Sequence, residues 1–368
     1  MDLQLTTEQR ALDEAAAKML ARRASAEDLN DLTDGQAGYD PDLFAEMSAM
    51  GWLDLAVEPH GPDGTLVELG LVHERLGEAL VPGPFHATAS AILTLARLGD
   101  TPEATALLTR LTDGGRAALA VLRDGSVEAT DAGFTVSGHA SGVEWAVGAD
   151  VLLAAAPYGG SWLILEVPAG PGAGVAPVTV FDYERAGRVA LTGARAHRVG
   201  EVSPAAWADH TRLLGVLRAA EIVGCGQRAL DLAVAHVKQR NQFGRPIGSF
   251  QAVQHQCADM VVDLDASRLL VRYALWRAAS GLPFARHAAM ATWFTGEAME
   301  RVTRSANQVH GGVGVIKEYP LHHCYRHAKA QQLRLGSRRE QLADLGDLVV
   351  ADATRDFAGE FVRWPVGT

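Results

Sequence analysis

Arg240-Asn241-Gln242-Phe243-Gly244-Arg245-Pro246-Ile247-Gly248-Ser249-Phe250-Gln251 joins two long runs of helical periodicity. The run before it extends from Leu213 to Lys238. The one after it begins near Phe250, with Ser249 placed as its N-cap, and continues to about Ser280. The connection collects guanidinium groups, an amide and an aromatic ring. Arginine can grip a pyrophosphate bidentately, Phe243 can pack against a flat heterocycle, and the glycines admit close backbone approach. An ordinary helix connection, with a buried Phe and solvated arginines, has the same composition. The stretch alone leaves both readings open.

Working outward, a third helix is predicted from about His287 to His310, ending in Gln308-Val309-His310-Gly311-Gly312-Val313-Gly314. Glycines at a helix end permit close approach to a ligand, or simply stop the helix. No strand precedes them, so they are not a dinucleotide fingerprint. Helical stretches follow from Tyr319, and residues 209–368 read as a four-helix bundle. Residues 113–208 differ: short apolar runs (Ala117–Leu122, Phe134–Val136, Val151–Ala156, Trp162–Val167, Val189–Leu191) bounded by Gly, Asp or Pro predict a β-barrel. There Phe134–Gly138 reads as a strand end and turn, and 168–177 as a loop. Residues 1–112 are helical, opened by a Thr6/Gln9 capping box and punctuated at Asp34-Gly35, Gly61-Pro62-Asp63-Gly64 and Pro82-Gly83-Pro84. The fold class is therefore α+β multidomain: helical domain, barrel, helical bundle.

Composition narrows the function. With 368 residues, 48% hydrophobic and 21% charged, the chain builds sizeable cores, and no apolar run approaches the ~20 residues that span a bilayer. Lys plus Arg is 33 against 44 Asp plus Glu, a net charge of −11 that disfavours nucleic acid and anionic membranes as partners. Three scattered cysteines and an amino terminus without a secretory pattern predict a reduced, cytoplasmic protein. The adjacent His322-His323-Cys324 point in different directions on a helix and predict no metal site. His310 reads as a hydrogen-bonded residue at a helix end.

Taken in order, these motifs resemble the acyl-CoA dehydrogenase family over nearly the whole chain. The resemblance rests on Arg240-x-x-Phe243-Gly244, Ile247-Gly-Ser-Phe-Gln251, Gln308-x-x-Gly311-Gly312-x-Gly314, and Glu318-Tyr319-Pro320 leading to Arg326-x-x-Lys329. Gly51-Trp52, Glu58-Pro59-x-Gly61, Glu74-x-x-Gly77 and Asp182-x-x-Arg185 add to it. It implies an FAD-dependent enzyme that desaturates the Cα–Cβ bond of an acyl-CoA thioester and passes electrons to an electron-transfer flavoprotein. It further implies that Arg240, Gln242, Phe243, Ile247 and Gln251 contact FAD held mainly by a neighbouring subunit. Gln308, Gly311, Gly312 and Gly314 would line its adenosine-pyrophosphate end.

The departures from the family are informative. The usual catalytic glutamate falls at Leu335 within Arg334-Leu335-Gly336-Ser337, and the minority position at about Leu214-Gly215. Neither residue accepts a proton, so the catalytic residue is unknown. The flavin-facing barrel segment aligns with Gly142-Val143-Glu144-Trp145-Ala146, which places Gly142 where the family stacks a tryptophan. Glu340, Glu221 and Glu144 are the remaining candidate bases, with salt bridges as their plainer role. This pattern resembles the base-lacking partner subunit of actinobacterial heteromeric acyl-CoA dehydrogenases, which act on bulky, steroid-derived acyl-CoAs. It implies a heterotetramer with a homologous catalytic subunit. Two alternatives stand beside it: a self-sufficient flavoenzyme with an atypical base or altered reaction, and a catalytically silent structural partner.

Overall fold

Thr6 and Gln9 close the predicted capping box, Gln9 N–H donating to Thr6 Oγ1 at 3.2 Å and Thr6 N–H to Gln9 Oε1 at 3.0 Å. The computed structural model describes residues 4–23, 29–32, 35, 38–60, 64–99, 101–131 and 133–357. Asp34, Gly61, Pro62 and Asp63 of the predicted turns, Met1 to Leu3, and residues 358–368 lie outside the described residues.

The first helices are α1 (Thr7–Leu20), α2 (Pro41–Ala49), α3 (Leu66–Ala79), α4 (Phe85–Ala96) and α5 (Pro102–Thr112). Helix α4 is buried on every side, consistent with its near-absence of charge.

The middle of the chain forms β1 (Ala117–Val121), β2 (Ser126–Thr130), β3 (Gly133–Glu144), β4 (Val151–Tyr158), β5 (Ser161–Glu166), β6 (Ala173–Val178) and β7 (Ala186–Val202). They form one seven-stranded sheet in the order β1-β4-β5-β7-β3-β2, with β6 also paired to β7. Only β1 and β4 run parallel. Among the described residues, β1 and β2 at the two ends of the path share no ladder, so the expected barrel is a curled sheet. Alternation gives it two faces: Ala120, Leu163, Leu165, Val189 and Leu191 fill the inside of the curl. Ala117, Val151, Leu153, Ala155 and Ile164 face the helices.

Two local expectations are corrected. Phe134–Gly138 does not end a strand, because β3 continues through it with a register shift between Val136 and Gly138, where Gly138 has φ +150°. The segment 168–177, read as loop, contains most of β6, whose pairing to β7 overrides its Gly/Pro-rich composition.

The carboxyl-terminal part comprises α6 (Pro204–Gln239), a hairpin of β8 (Asn241–Gln242) and β9 (Arg245–Pro246), then α7 (Gln251–Ala279), α8 (Ala285–His310), α9 (Leu321–Arg334) and α10 (Arg338–Phe357). Since α6 begins at Pro204, the 208/209 divide falls inside this helix. Ser249 does not cap α7. Its hydroxyl donates to Pro246 O at 2.7 Å, and Phe250 takes the cap position.

Helices α3 and α6 cross with their backbones in contact. A Cβ on Gly77 would stand 1.9 Å from Glu221 O, and one on Gly224 1.9 Å from Glu74 O. That close approach explains the glycine of Glu74-x-x-Gly77. Among the described residues, no helix is long and apolar enough to cross a membrane.

Candidate functional site

The hairpin tip carries Phe243 at φ +52° followed by Gly244 at φ +77°. Two successive positive φ values are what a two-residue reverse turn between twisted strands demands, and a bulky ring is a costly occupant of the first. The ring is nonetheless 92% exposed, so the buried Phe of an ordinary connection is not found. Behind it the Arg245 guanidinium lies 4.2 Å over the Phe250 ring, and Phe243 meets Phe250 edge-on at 6.1 Å. Arg240, Gln242 and Gln251 are exposed around the same loop, and Ile247 is half-buried.

The Gly-rich stretch forms a 3-10 turn, Gly311–Val315, directly after α8. Gly311 has φ +62°, and a Cβ on Gly311 or Gly312 would meet nothing within 4 Å, which leaves backbone open to an approaching group. Gln308 is exposed beside them. Gly314 faces inward, where a Cβ would stand 2.9 Å from Asn307 Oδ1 and 3.1 Å from His310 Cβ. The two motifs are joined at their roots, because the rings of His236 and His310 stack at 4.4 Å.

A separate cleft of about 790 Å³ opens between the sheet and the helices. Leu119, Val121, Leu214, Gly215, Thr292 and Leu335 are among its lining residues. Both positions at which the resemblance seeks a base thus face one space, and both are aliphatic or bare. Glu340 also lines it, but its carboxylate accepts from Ser337 N–H at 2.9 Å and Ser337 Oγ–H at 2.7 Å. Those bonds hold its carboxyl below the usual range.

Behind the cleft lies a knot of buried charge. Arg218 donates to Glu144 at 2.9 and 2.5 Å and also to Gln331. Arg334 stands 3.3 Å from Glu144 and 2.8 Å from Asp182, and His327 sits between Asp182 at 3.4 Å and Glu221 at 2.6 Å. Burial alone would raise the Glu144 carboxyl, but the charges of Arg218 and Arg334 pull it well below its ordinary range. Burial likewise opposes the charging of Glu221, yet the His327 hydrogen bond brings it down to about 2. His327 itself, despite burial, is held up to about 9 by Asp182 and Glu221.

Glu184 is the exception in this cluster. Burial pushes it up to about 8, so near neutrality it is a carboxylic acid whose Oε2 accepts from Trp145 Nε1 at 2.6 Å. Glu184, Glu221 and His327 bring ligand atoms within 4.8 Å of one another. A protonated imidazole flanked by two carboxylates, however, has no free lone pair for a metal.

These positions bear on where a flavin fits. Trp145, at φ +53°, turns to Glu184 and to Tyr39, 5.2 Å away, and does not line the cleft. Glu144 is spent on arginines. Gly142 carries no ring and Trp145 is turned to Glu184, while the hairpin tip holds an exposed ring and Gly311-Gly312 uncovered backbone.

Comparison with known proteins agrees with this architecture. Residues 6–115 match the acyl-CoA dehydrogenase N-terminal domain and residues 208–348 the C-terminal domain. The acyl-CoA dehydrogenase IpdE2 of Mycolicibacterium smegmatis is 30% identical over 344 residues, 93% of this chain and 98% of that relative. The chain belongs to the acyl-CoA dehydrogenase family. Two solved structures resemble this family member closely: the steroid ACAD Tcur3481-Tcur3483 (TM-score 0.86, 28% identity, covering 94% of this chain and 99% of that one) and the ChsE4-ChsE5 complex from Mycobacterium tuberculosis (TM-score 0.86, 26% identity, 95% and 99%).

Within this acyl-CoA dehydrogenase family member, the other residues singled out in the sequence take structural places. Glu221 takes the salt-bridge role, paired with His327 at 2.6 Å, and His323 and Cys324 are both buried. His310 is the helix-end residue expected, bonded through Nδ1 to Ala306 O at 2.7 Å. Sequence reasoning overlooked Arg218, Glu184, His327, Gln331 and His236. Charged side chains at 218 and 221 on an otherwise apolar stripe of α6, and His323, His327 and Gln331 at four-residue spacing on α9, were the signal available.

Proposed function

We propose that this chain is one subunit of a heteromeric, FAD-dependent acyl-CoA dehydrogenase, which lends flavin contacts to a homologous catalytic subunit and carries no base of its own. The observation that supports this most is the cleft. Each of the three carboxylates that line it is already engaged: Glu144 with two arginines, Glu340 with Ser337, and Asp344 with Arg212 at 2.7 Å. Leu335 and Leu214-Gly215 occupy the places where a base would stand.

FAD, when bound, supplies the hydride acceptor for the β hydrogen of the acyl-CoA. Toward it, this chain would offer the Arg240 guanidinium to a phosphate, the Phe243 ring to a flat heterocycle, and the Gly311-Gly312 backbone to the pyrophosphate end. Gln242, Ile247, Gln251 and Gln308 flank those groups, and inward-facing Gly314 sets the turn. The substrate class is a bulky acyl-CoA, in line with the steroid ACAD among the similar structures. An electron-transfer flavoprotein would take the electrons. A silent structural partner is the weaker reading, because a subunit that only braces its neighbour has no use for a strained, exposed Phe243.

The visible spectrum tests the proposal. The chain purified alone should be colourless, and the chain co-expressed with its homologous partner should be yellow, with one flavin per two chains. A yellow chain that dehydrogenates an acyl-CoA unaided would refute it.

A further inference from the structure

The His236–His310 stack lies where the two exposed motifs leave the helical bundle. His236 is in the last turn of α6, and its carbonyl accepts the N–H of Arg240 at 2.9 Å. Arg240 in turn accepts from Ile247 N–H at 2.8 Å, which closes the base of the hairpin. His310 ends α8, and its Cβ is the nearby wall against which Gly314 packs. Its ring is pinned twice. Nδ1 bonds Ala306 O at 2.7 Å and so carries the proton, which leaves Nε2 to accept from the Tyr319 hydroxyl at 3.0 Å. The two rings lie within 28° of parallel.

We propose that His236 and His310 are positioning residues, whose stack fixes the distance between the Arg240–Phe243 hairpin and the Gly311–Gly312 turn so that both reach one dinucleotide at once. Neither ring need touch the ligand. The pinned His310 serves as the fixed plate, and His236 transmits its position through the backbone to Arg240. Two contact groups held in register bind a common ligand more tightly than two that must find their spacing on binding. This inference rests on the function proposed above, because the dinucleotide is the FAD of the partner subunit.

The test uses the co-expressed complex, with flavin content and the dissociation constant for added FAD read by absorbance and fluorescence. His236→Ala should weaken FAD binding about tenfold or more, while the melting temperature of the chain alone stays within a few degrees. His236→Phe, which keeps a flat ring, should restore most of the affinity. Equal affinity in wild type and His236→Ala overturns the proposal, as does a Phe variant as weak as the Ala variant. If His236→Ala unfolds the chain, His236→Leu keeps bulk without the ring plane and must give the same loss. Arg240→Ala separates the two levels. If it lowers flavin content and His236→Ala does not, only the stack is wrong; if neither does, the reading of the loop fails with it.

Discussion

Leu335 lies against Gly215: a Cβ built on that glycine would stand 3.6 Å from Leu335 Cδ2. One residue comes from the first third of α6 and the other caps the end of α9, yet they meet in the same cleft. The two places where a family member could put its carboxylate are thus alternative routes to one point in space. Here both routes end in hydrocarbon or in nothing. If the base is in the partner, Leu335→Glu should leave desaturation per flavin in the complex within about twofold. A change of roughly 10²-fold, the scale of general-base effects, would place the reacting carbon in this cleft.

Glu340 is the nearest carboxylate that could be mistaken for a displaced base. Its hydrogen bonds to Ser337 mark it as a reciprocal cap of α10, for Ser337 Oγ also accepts Glu340 N–H at 3.2 Å. Glu340→Gln should therefore leave turnover of the complex nearly unchanged and lower the urea midpoint of the chain slightly, as weakened caps do. A steady-state assay beside a urea titration distinguishes that outcome from a catalytic role.

How much of this was legible in the sequence depends on the range of the interactions. The Thr6/Gln9 box is a contact across three residues, and β4 and β5 declare themselves by their own apolar runs; both were readable. Strand β6 was not, because a Gly/Pro-rich strand exists only through its pairing with β7. The hairpin was legible as a motif, but the exposure of Phe243 was not. The ion knot draws on residues around 144, 182, 218 and 327, and no local spacing announces that they meet. Ser249 failed as a cap because Pro246 O captured its hydroxyl first.

That knot makes a stability prediction. Removing one member of a buried pair strands the other, at a cost of about 3–5 kcal/mol, whereas replacing both by apolar groups is far milder. Arg218→Met and Glu144→Leu should each destabilise the chain strongly in urea titration. The Arg218→Met/Glu144→Leu double variant should recover much of the loss, less fully because Arg334 also reaches Glu144. Additive losses would mean that the pair is not coupled.

The pH dependence follows from the same cluster. His327, held up to about 9, stabilises the fold fully below its ordinary value of 6.5, and that contribution is lost as pH rises through 9. Glu184, raised to about 8, acts in the same direction, since the fold keeps a proton that the unfolded chain gives up above 4.5. On the acid side, Glu221 at about 2 contributes stability that disappears as pH falls below 4.5 toward 2. Burial and the Arg218 charge hold His86 neutral to about 3, so its share fades from 6.5 downward. Urea midpoints should therefore be highest near pH 6 and fall steadily between 6.5 and 9. His327→Gln should flatten the alkaline slope, whatever it does to the midpoint itself.

Phe243 sets stability against function at a single residue. At φ +52° its Cβ is strained, and its exposed ring gains little from packing within this chain. Asparagine tolerates that conformation and is a preferred residue at the first position of such a turn. Phe243→Asn should accordingly raise the stability of the isolated chain by about 0.5–1 kcal/mol, measured by urea titration. The same change removes the flat ring that would lie on the partner's dinucleotide, so flavin content of the co-expressed complex should fall. A residue that is better replaced in the free chain and worse replaced in the assembly is one kept for its neighbour. If Phe243→Asn stabilises the chain and the complex retains all its flavin, the hairpin is not a flavin contact.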